Sequence, residues 1–493
     1  MSWTAHLPAL QVVVPLLAAP VCAVLRHPTL AWAWATLTSL VAFLIALLIL
    51  AQVMATGPIS YAIGSWPPPW GIEYRIDTLN AFVLLLVTLI GAVIMPYARV
   101  SLASELPAER LPWYYAMILL CLAGLLGMTA TGDAFNIFVF MEIASLSSYV
   151  LIALGRDRRA LLAAYQYLIV GTIGATFYVI GVGFLYLVTG TLNITDLAAQ
   201  LPMVANQRPV TVGLAFIAVG LSLKFALFPL HGWLPGAYAS APSVATALLA
   251  ATATKVAAYL LLRFFFSIFG GAYKLAELTI PVLWILASIG AMIGASLWAL
   301  YQDNVRRLLA FSSVAQIGYI TLGIGLASPR GLTGSIVHLF NHGITKAALF
   351  LLVGGMALRI GPVTVDSLAG IGRRMPVTVA GFTIAAASLV GIPGTAGFVG
   401  KWYLILAAIE QGWWWLAVMI VLSSLLALLY VGRILEAAWL RPAPPDALAS
   451  EMPPSMLVPA WVLVIACVWF GLQTDLTVGV AEQAAAELLG RQP

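Results

Sequence analysis

The chain is poor in charge. Of its 493 residues only 8% are Asp, Glu, Lys or Arg, whereas 62% are hydrophobic and the mean hydropathy is +1.02. Soluble domains carry roughly 25% charged residues, so a soluble globular fold is excluded and an integral membrane protein is indicated. Cysteine is scarce too. Cys22, Cys121 and Cys467 lie far apart in apolar runs, which excludes a disulfide framework and a cysteine-based metal site. No Lys or Arg precedes the first apolar run, contrary to the basic start of a cleaved signal peptide. Long polar stretches are missing as well, so no separate soluble domain is expected. The net charge of +5 is small for this length and does not point to nucleic acid. Lysine is the scarcest cation, with five residues against eighteen arginines.

What is present is a series of apolar runs of membrane length. Fourteen spans are expected, near 7–25, 30–53, 78–97, 112–130, 133–154, 162–189, 210–240, 243–266, 278–300, 308–327, 332–357, 376–411, 413–434 and 455–472. The seventh and twelfth carry internal breakers, Pro229 and Pro393, since proline removes a ladder hydrogen bond and clashes with the preceding turn. Uniformly apolar runs of this length call for an all-α fold, because barrel strands would be short and alternating. Residues 1–493 are read as one transmembrane domain: 1–111 with three helices, a first unit at 112–266, a second at 278–434, and a last helix with its tail at 455–493. The tail, Ala481–Leu489 especially, suits a short amphipathic surface helix.

The positive-inside rule orients the chain. With the N-terminus outside, the inner loops hold thirteen basic residues, Arg26, Arg99, Arg110, Arg156, Arg158, Arg159, Arg306, Arg307, Arg359, Arg373, Arg374, Arg433 and Arg441. The outer segments hold six, Arg75, Arg208, Arg263, Lys274, Arg330 and Arg491. Both termini are therefore expected outside a cell membrane, of the bacterial inner-membrane kind.

The four remaining cations, Lys224, Lys255, Lys346 and Lys401, all fall inside membrane runs. Arginine stays protonated, while a desolvated lysine can titrate near neutral pH. Loops using arginine and a membrane interior using lysine thus suggest proton exchange. Glu142 is the one central carboxylate. His338, His342 and Lys346 recur every four residues and form one stripe on a helix face. Each group has a bland reading: a snorkelling lysine, a structural Glu–Lys pair, a satisfied core histidine. Four lysines against one carboxylate outrun these. At ~3 kcal/mol each, five such groups cost roughly 15 kcal/mol to insert, of the order of a whole protein's stability. The pattern fits a hydrated row of groups passing protons across the midplane. Glu410 and Asp133 lie near span ends and read as interfacial. Lys224 and Lys401 sit on broken spans five apart, the arrangement expected of inverted five-helix repeats, spans 4–8 and 9–13.

On these residues the chain resembles a known family, the antiporter-like subunits shared by Mrp-type cation/proton antiporters, respiratory complex I and membrane-bound hydrogenases. The resemblance rests on LKFALFPLHGWLPGAYASAPSVATALLAATATKVAAY (223–259), ALYQDNVRRLLAFSSVAQIGYI (299–320), HLFNHGITKAALFLLVGG (338–355) and GIPGTAGFVGKW (391–402). It implies two inverted repeats with broken seventh and twelfth helices. It also implies a Glu142–Lys224 pair, a central Lys255, a polar stretch from His338 to Lys346, and Lys401 on the twelfth helix. Length and Lys401 are similar to the D-type subunit of the Mrp branch. The implied function is proton conduction in a multisubunit Na⁺(K⁺)/H⁺ antiporter, with other membrane subunits as partners. The alternatives are a proton-pumping subunit of a complex I-like NADH:quinone oxidoreductase or hydrogenase, and a non-transporting scaffold. No motif binds a nucleotide, flavin or metal, so no cofactor, metal ligand or enzymatic residue is assigned. Na⁺ favours several oxygen ligands, and only Asp133, Thr129 and Thr131 offer a candidate set.

Overall fold

A computed structural model describes residues 3–155, 158–270, 280–443 and 450–490. Arg156, Lys274 and Arg491, counted in the charge asymmetry, lie outside the described residues, as do residues 278–279 at the start of the ninth span. Among the described residues thirteen helices are long and apolar enough to cross a membrane. A fourteenth crossing is split into two helices of 15 residues each. The protein is an all-α, multi-span membrane protein.

The first three spans are α1 (Leu7–Val24), α2 (Pro28–Thr56) and α3 (Thr78–Glu105). Between the last two, a hairpin of β1 (Ile59–Ala62) and β2 (Glu73–Ile76) pairs Ile59 with Ile76 and Ala62 with Glu73. This hairpin falls in what the sequence presented as a plain connection. The first five-span unit contains α4 (Leu111–Ala130), α5 (Ala134–Ala153) and α6 (Arg158–Thr189). A short α7 (Ile194–Val204) leads to the broken seventh span, α8 (Arg208–Phe225) and α9 (Trp233–Ser240). The eighth span is itself interrupted, with α10 (Ser243–Ala251) and α11 (Ala253–Leu262) meeting at Thr252. The second unit starts with α12 (Ile280–Ile289) and α13 (Ser296–Leu300), followed by α14 (Val305–Leu326) and α15 (Pro329–Ile360). The broken twelfth span is α16 (Pro376–Val390) with α17 (Ala396–Glu410), and α18 (Trp414–Trp439) closes the unit. The last span is α19 (Pro454–Leu472), with α20 (Asp475–Leu488) after it.

The breaks arise where proline and left-handed backbone coincide. Helix α8 ends at Ala226 with φ +56°, and Pro229 follows. Helix α16 ends at Gly391 with φ +89°, and Pro393 follows. An odd number of crossings per unit places the second unit upside down relative to the first, so the two breaks enter from opposite faces. Helix burial follows position: α14 is buried over its whole apolar window and the eighth span over 94% of its own, whereas α18 and α19 bury 33%. The polar row therefore runs along helices that other helices enclose.

One placement differs from the sequence-based expectation. Arg263, counted among outer loop residues, is buried within the eighth span and paired with Asp77 at 2.7 Å. The tail forms a short helix with one buried face: α20 buries Val480, Ala484 and Leu488, and Glu487 accepts hydrogen bonds from the Thr78 hydroxyl and N–H. At the other terminus His6 meets Tyr61 of the hairpin at 3.1 Å. Both ends of the chain thus lie on one face, as an even number of crossings requires.

Helices α6 and α8 approach through glycine. A Cβ on Gly220 would lie 2.6 Å from the Gly174 carbonyl and 2.7 Å from the Tyr178 nitrogen, the close backbone contact that small residues permit in membranes. Gly220→Ala is predicted to destabilise the fold by about 1–3 kcal/mol through overpacking, lowering the unfolding midpoint in detergent. Gly183→Ala on α6, with open space at its Cβ, should leave the midpoint unchanged or raise it.

Candidate functional site

The site begins on α5. Glu142 Oε1 lies 3.9 Å from Lys224 Nζ, with side-chain exposures of 27% and 7%. Lys224 is in the last turn of α8 and donates to Ser145 Oγ at 2.6 Å. At the break just after it, Leu223 O accepts from Trp233 Nε1 and Ser222 O from the Leu227 N–H. The ammonium is turned towards Ser145 and Glu142 of α5. The contact with Glu142 is an ion pair without a close hydrogen bond, and Glu142 sits at the edge of the bundle. Gly171 of α6 makes room here, since a Cβ there would lie 3.5 Å from Lys224 Nζ and would collide with the Tyr149 hydroxyl.

The other three lysines rest on main-chain carbonyls and hydroxyls. Lys255 Nζ donates to Ala250 O at 2.5 Å, across the interruption at Thr252, and approaches Thr254 Oγ1 at 3.3 Å. Lys401 Nζ donates to Leu389 O at 3.2 Å and Val390 O at 2.8 Å, the last carbonyls of α16, and to Ser424 Oγ at 3.1 Å. Carbonyls at a helix C-terminus have no ladder partner and carry partial negative charge. Lys401 also lies 4.6 Å from the Tyr319 ring centre, within cation–π range. Lys346 Nζ donates to Leu309 O at 2.8 Å and Ser312 Oγ at 2.5 Å on α14.

Two histidines lie between these seats. The His338 and His342 rings stack at 5.9 Å, and His338 is 5.3 Å from Tyr319. Both are almost fully buried, and none of their four ring nitrogens has a hydrogen-bond partner among the described residues. Close approaches fix their neighbours. A Cβ on Gly400 would lie 2.7 Å from His338 Cβ, and one on Gly343 would lie 3.0 Å from Ala251 O. The first contact sets Lys401 beside His338; the second sets α15, next to His342, against the interruption that seats Lys255. Between Lys224 and the eighth span lies a cavity of about 30 Å³ lined by Ser145, Ser148, Lys224, Ala253 and Ala257, the volume of roughly one water molecule. Two runs of direct neighbours result, Glu142 with Lys224 and His342 with His338, Tyr319 and Lys401. Lys346 stands to one side, turned to α14.

Asp133, Thr129 and Thr131 do not form a cation cage. Asp133 caps α5 by accepting from Asn136 N at 2.7 Å, Thr131 Oγ1 receives Asn136 Nδ2 at 3.0 Å, and Thr129 bonds Leu125 O within its helix. Burial pushes the Asp133 carboxyl up, against the Asn136 N–H. Glu410 is exposed and paired with Arg330. Sequence reasoning missed Ser145, Ser312, Tyr319 and Ser424. Ser145 was within reach, one helical turn from Glu142. The others are brought in from distant spans and leave no local signal.

The comparisons agree with this architecture. The family described as NADH:quinone oxidoreductase/Mrp antiporter, transmembrane, matches residues 131–427. The chain belongs to that family. A NADH-quinone oxidoreductase subunit N of Desulforudis audaxviator is 43% identical over 95% of this chain and 96% of its own. The D-type subunit of a Na(+)/H(+) antiporter of Bacillus subtilis is 31% identical over 97% of this chain and 96% of its own. A chain in the structure of the Mrp complex from Dietzia sp. superposes with a TM-score of 0.92 at 28% identity, covering 99% of this chain and 98% of that one. As a member of the NADH:quinone oxidoreductase/Mrp antiporter family, the protein is an antiporter-like membrane subunit. Its relatives are subunits of multisubunit membrane complexes.

The Lys401 seat yields a matched prediction. A Cβ on Gly391 would lie 3.0 Å from Lys401 Cδ, at φ +89°. Gly412 has a similar φ of +74° and open space around it. Both alanine variants carry backbone strain, but only Gly391→Ala also displaces the lysine. Gly391→Ala should lower the unfolding midpoint in detergent further than Gly412→Ala, by the equivalent of about 1–3 kcal/mol.

Proposed function

We propose that this chain conducts protons for a multisubunit Na⁺(K⁺)/H⁺ antiporter, along a relay formed by Glu142, Lys224, Lys255, His342, His338 and Lys401, with Lys346 as a side branch. The observation that carries the reading is the row itself: four lysines at membrane depth, two histidines between two of them without hydrogen-bond partners among the described residues, and one carboxylate at one end. The units at 112–266 and 278–434 each supply half of it. In this reading Glu142 stabilises the charged form of Lys224. When the pair opens, the ammonium loses its counter-charge and its proton moves on to Lys255. From there the neutral imidazoles accept and donate in turn, and Lys401 delivers the proton beyond the second break. Similarity to the D-type subunit of a Na(+)/H(+) antiporter over nearly the whole chain supports the antiporter setting. The membrane is taken to be a cell membrane with both termini outside, on the asymmetry of loop arginines.

A second reading has its own support. The 43% identical relative is named a NADH-quinone oxidoreductase subunit N, which favours a proton-pumping module of a redox complex. The relay is the same in either setting, and what drives it differs. Purification of the native complex decides between them: iron–sulfur or flavin absorbance copurifying with the chain supports the redox setting, and its absence with cation-dependent proton flux supports the antiporter.

Transport in vesicles carrying the native complex tests the relay. Lys224→Ala, Lys255→Ala and Glu142→Ala are each expected to lower proton flux about a hundredfold or more, as removal of a proton-transfer group does. Wild-type rates in all three would leave a scaffold. Lys401→Arg keeps the charge but cannot release the proton, so it should impair flux as severely as Lys401→Ala.

A further inference from the structure

The face opposite the termini, where the loop arginines gather, holds a recess of about 460 Å³ that the relay does not use. It lies on the seam between the two units. Helices α6 and α9 of the first unit form one side, and the start of α14 of the second unit forms the other. Among the described residues its walls carry three arginines, Arg159, Arg306 and Arg307, against one carboxylate, Glu105. That carboxylate is engaged: Oε1 accepts from Ser101 Oγ at 2.9 Å and Oε2 from the Ser243 N–H at 3.0 Å. Arg306 rests on neutral acceptors, Ala241 O at 3.2 Å and Ser243 Oγ at 2.5 Å. Neither Arg306 nor Arg307 forms an ion pair among the described residues.

A bias of arginine towards the loops on one side of a membrane accounts for cations on this face. Arg306 also braces the corner between α9 and α10, which is a structural role. Neither reason accounts for the convergence of Arg159 and Arg307 on one recess. Both stand in the first turn of a long helix, α6 and α14, where the positive end of the helix dipole already disfavours a cation. An anion between them relieves both repulsions. A second observation says which kind of anion. Leu162 lines the recess and is exposed, and Tyr165, Ile169 and Ile173 continue the exposed stripe down α6 into the membrane. From Leu162 to Ile173 the stripe runs about 16 Å, roughly the depth of one leaflet of a 30 Å hydrocarbon core. A cationic recess at the membrane edge with an apolar track leading from it accommodates a headgroup and an acyl chain together.

We propose that this recess binds the phosphate of an anionic phospholipid, whose acyl chain lies along α6. Arg159 and Arg307 are the phosphate contacts, because guanidinium forks match phosphate oxygens. Arg306 holds the corner behind them and adds to the positive field. The bound lipid ties the first unit to the second across the seam. The proposal is independent of the relay, since none of these arginines belongs to it.

The experiment uses the native complex in detergent, stripped of loosely held lipid and titrated with phosphatidylglycerol. Native mass spectrometry counts the lipid retained. Arg159→Gln/Arg307→Gln is compared with Arg110→Gln/Arg373→Gln, which removes two exposed arginines from the same face outside the recess. The first pair is expected to retain one phosphatidylglycerol fewer. Affinity at that site should fall about thirtyfold, roughly fivefold per arginine, with the unfolding midpoint of the lipid-free complex unchanged. Arg159→Lys/Arg307→Lys should recover part of the affinity, because the charge remains and the fork is lost. Equal losses in the two glutamine pairs, or none in the first, overturn the site. Phosphatidylcholine retained as tightly as phosphatidylglycerol also overturns it, leaving ordinary annular lipid. Displacement of the lipid by millimolar inorganic phosphate overturns the lipid assignment in favour of a free phosphate.

Discussion

The structure depends on how an ammonium is held at membrane depth, where carboxylates are scarce. Three of the four membrane lysines are seated on main-chain carbonyls, and two of those seats exist only because a helix is interrupted. An intact helix uses its carbonyls internally. A break exposes the last of them and adds the negative end of the helix dipole. The interruption at Thr252 and the left-handed turn at Gly391 are therefore the binding groups for Lys255 and Lys401, as well as irregularities in the spans. Close packing follows from the same need. Gly391 must lack a side chain because Lys401 lies against it, and Gly400 must lack one because His338 does.

The two units use one plan with one difference. Each has a broken fourth span whose first half ends in left-handed backbone near a proline. In the second unit the freed carbonyls take up Lys401. In the first, Trp233 and the Leu227 N–H occupy the Leu223 and Ser222 carbonyls, and Lys224 is turned to Ser145 and Glu142. The chain thus places its one central carboxylate at the edge of the bundle, 27% exposed, beside the first lysine of the row.

Much of this was legible in the sequence. Run lengths report membrane crossings, Pro229 and the Gly-Ile-Pro-Gly segment report breaks, and a lysine in an apolar run stands out against arginine-rich loops. The rest lacked a local cause. The interruption at Thr252 has neither proline nor glycine within TALLAATATKVAAY, so nothing distinguishes it from a continuous helix. Tyr319 and Ser424 matter only because α14 and α18 pack beside α17. Arg263 read as a loop residue because it ends an apolar run; its burial depends on Asp77, which is 186 residues away. The hairpin was masked by a Trp- and Pro-rich turn that outweighs its four-residue strands.

The different seats bear on what each lysine can do. When a lysine paired with a carboxylate gives up its proton, it leaves an uncompensated negative charge, which costs the more the less water reaches it. When a lysine seated on carbonyls does so, it leaves dipoles, and the loss is nearer that of a hydrogen bond to a charged group, about 1.5–3 kcal/mol. Lys255, Lys346 and Lys401 can therefore change protonation without a large electrostatic penalty in their surroundings, which suits groups that only pass a proton on. Lys224 cannot, unless Glu142 moves or is neutralised first. In the proposed relay, the carboxylate at 3.9 Å, partly exposed and without a close hydrogen bond to the ammonium, is the point at which an outside event would decide whether the row conducts. A single carboxylate is then the expected number. A second one within the row would trap the proton beside it, and none at all would leave the relay with nothing to switch.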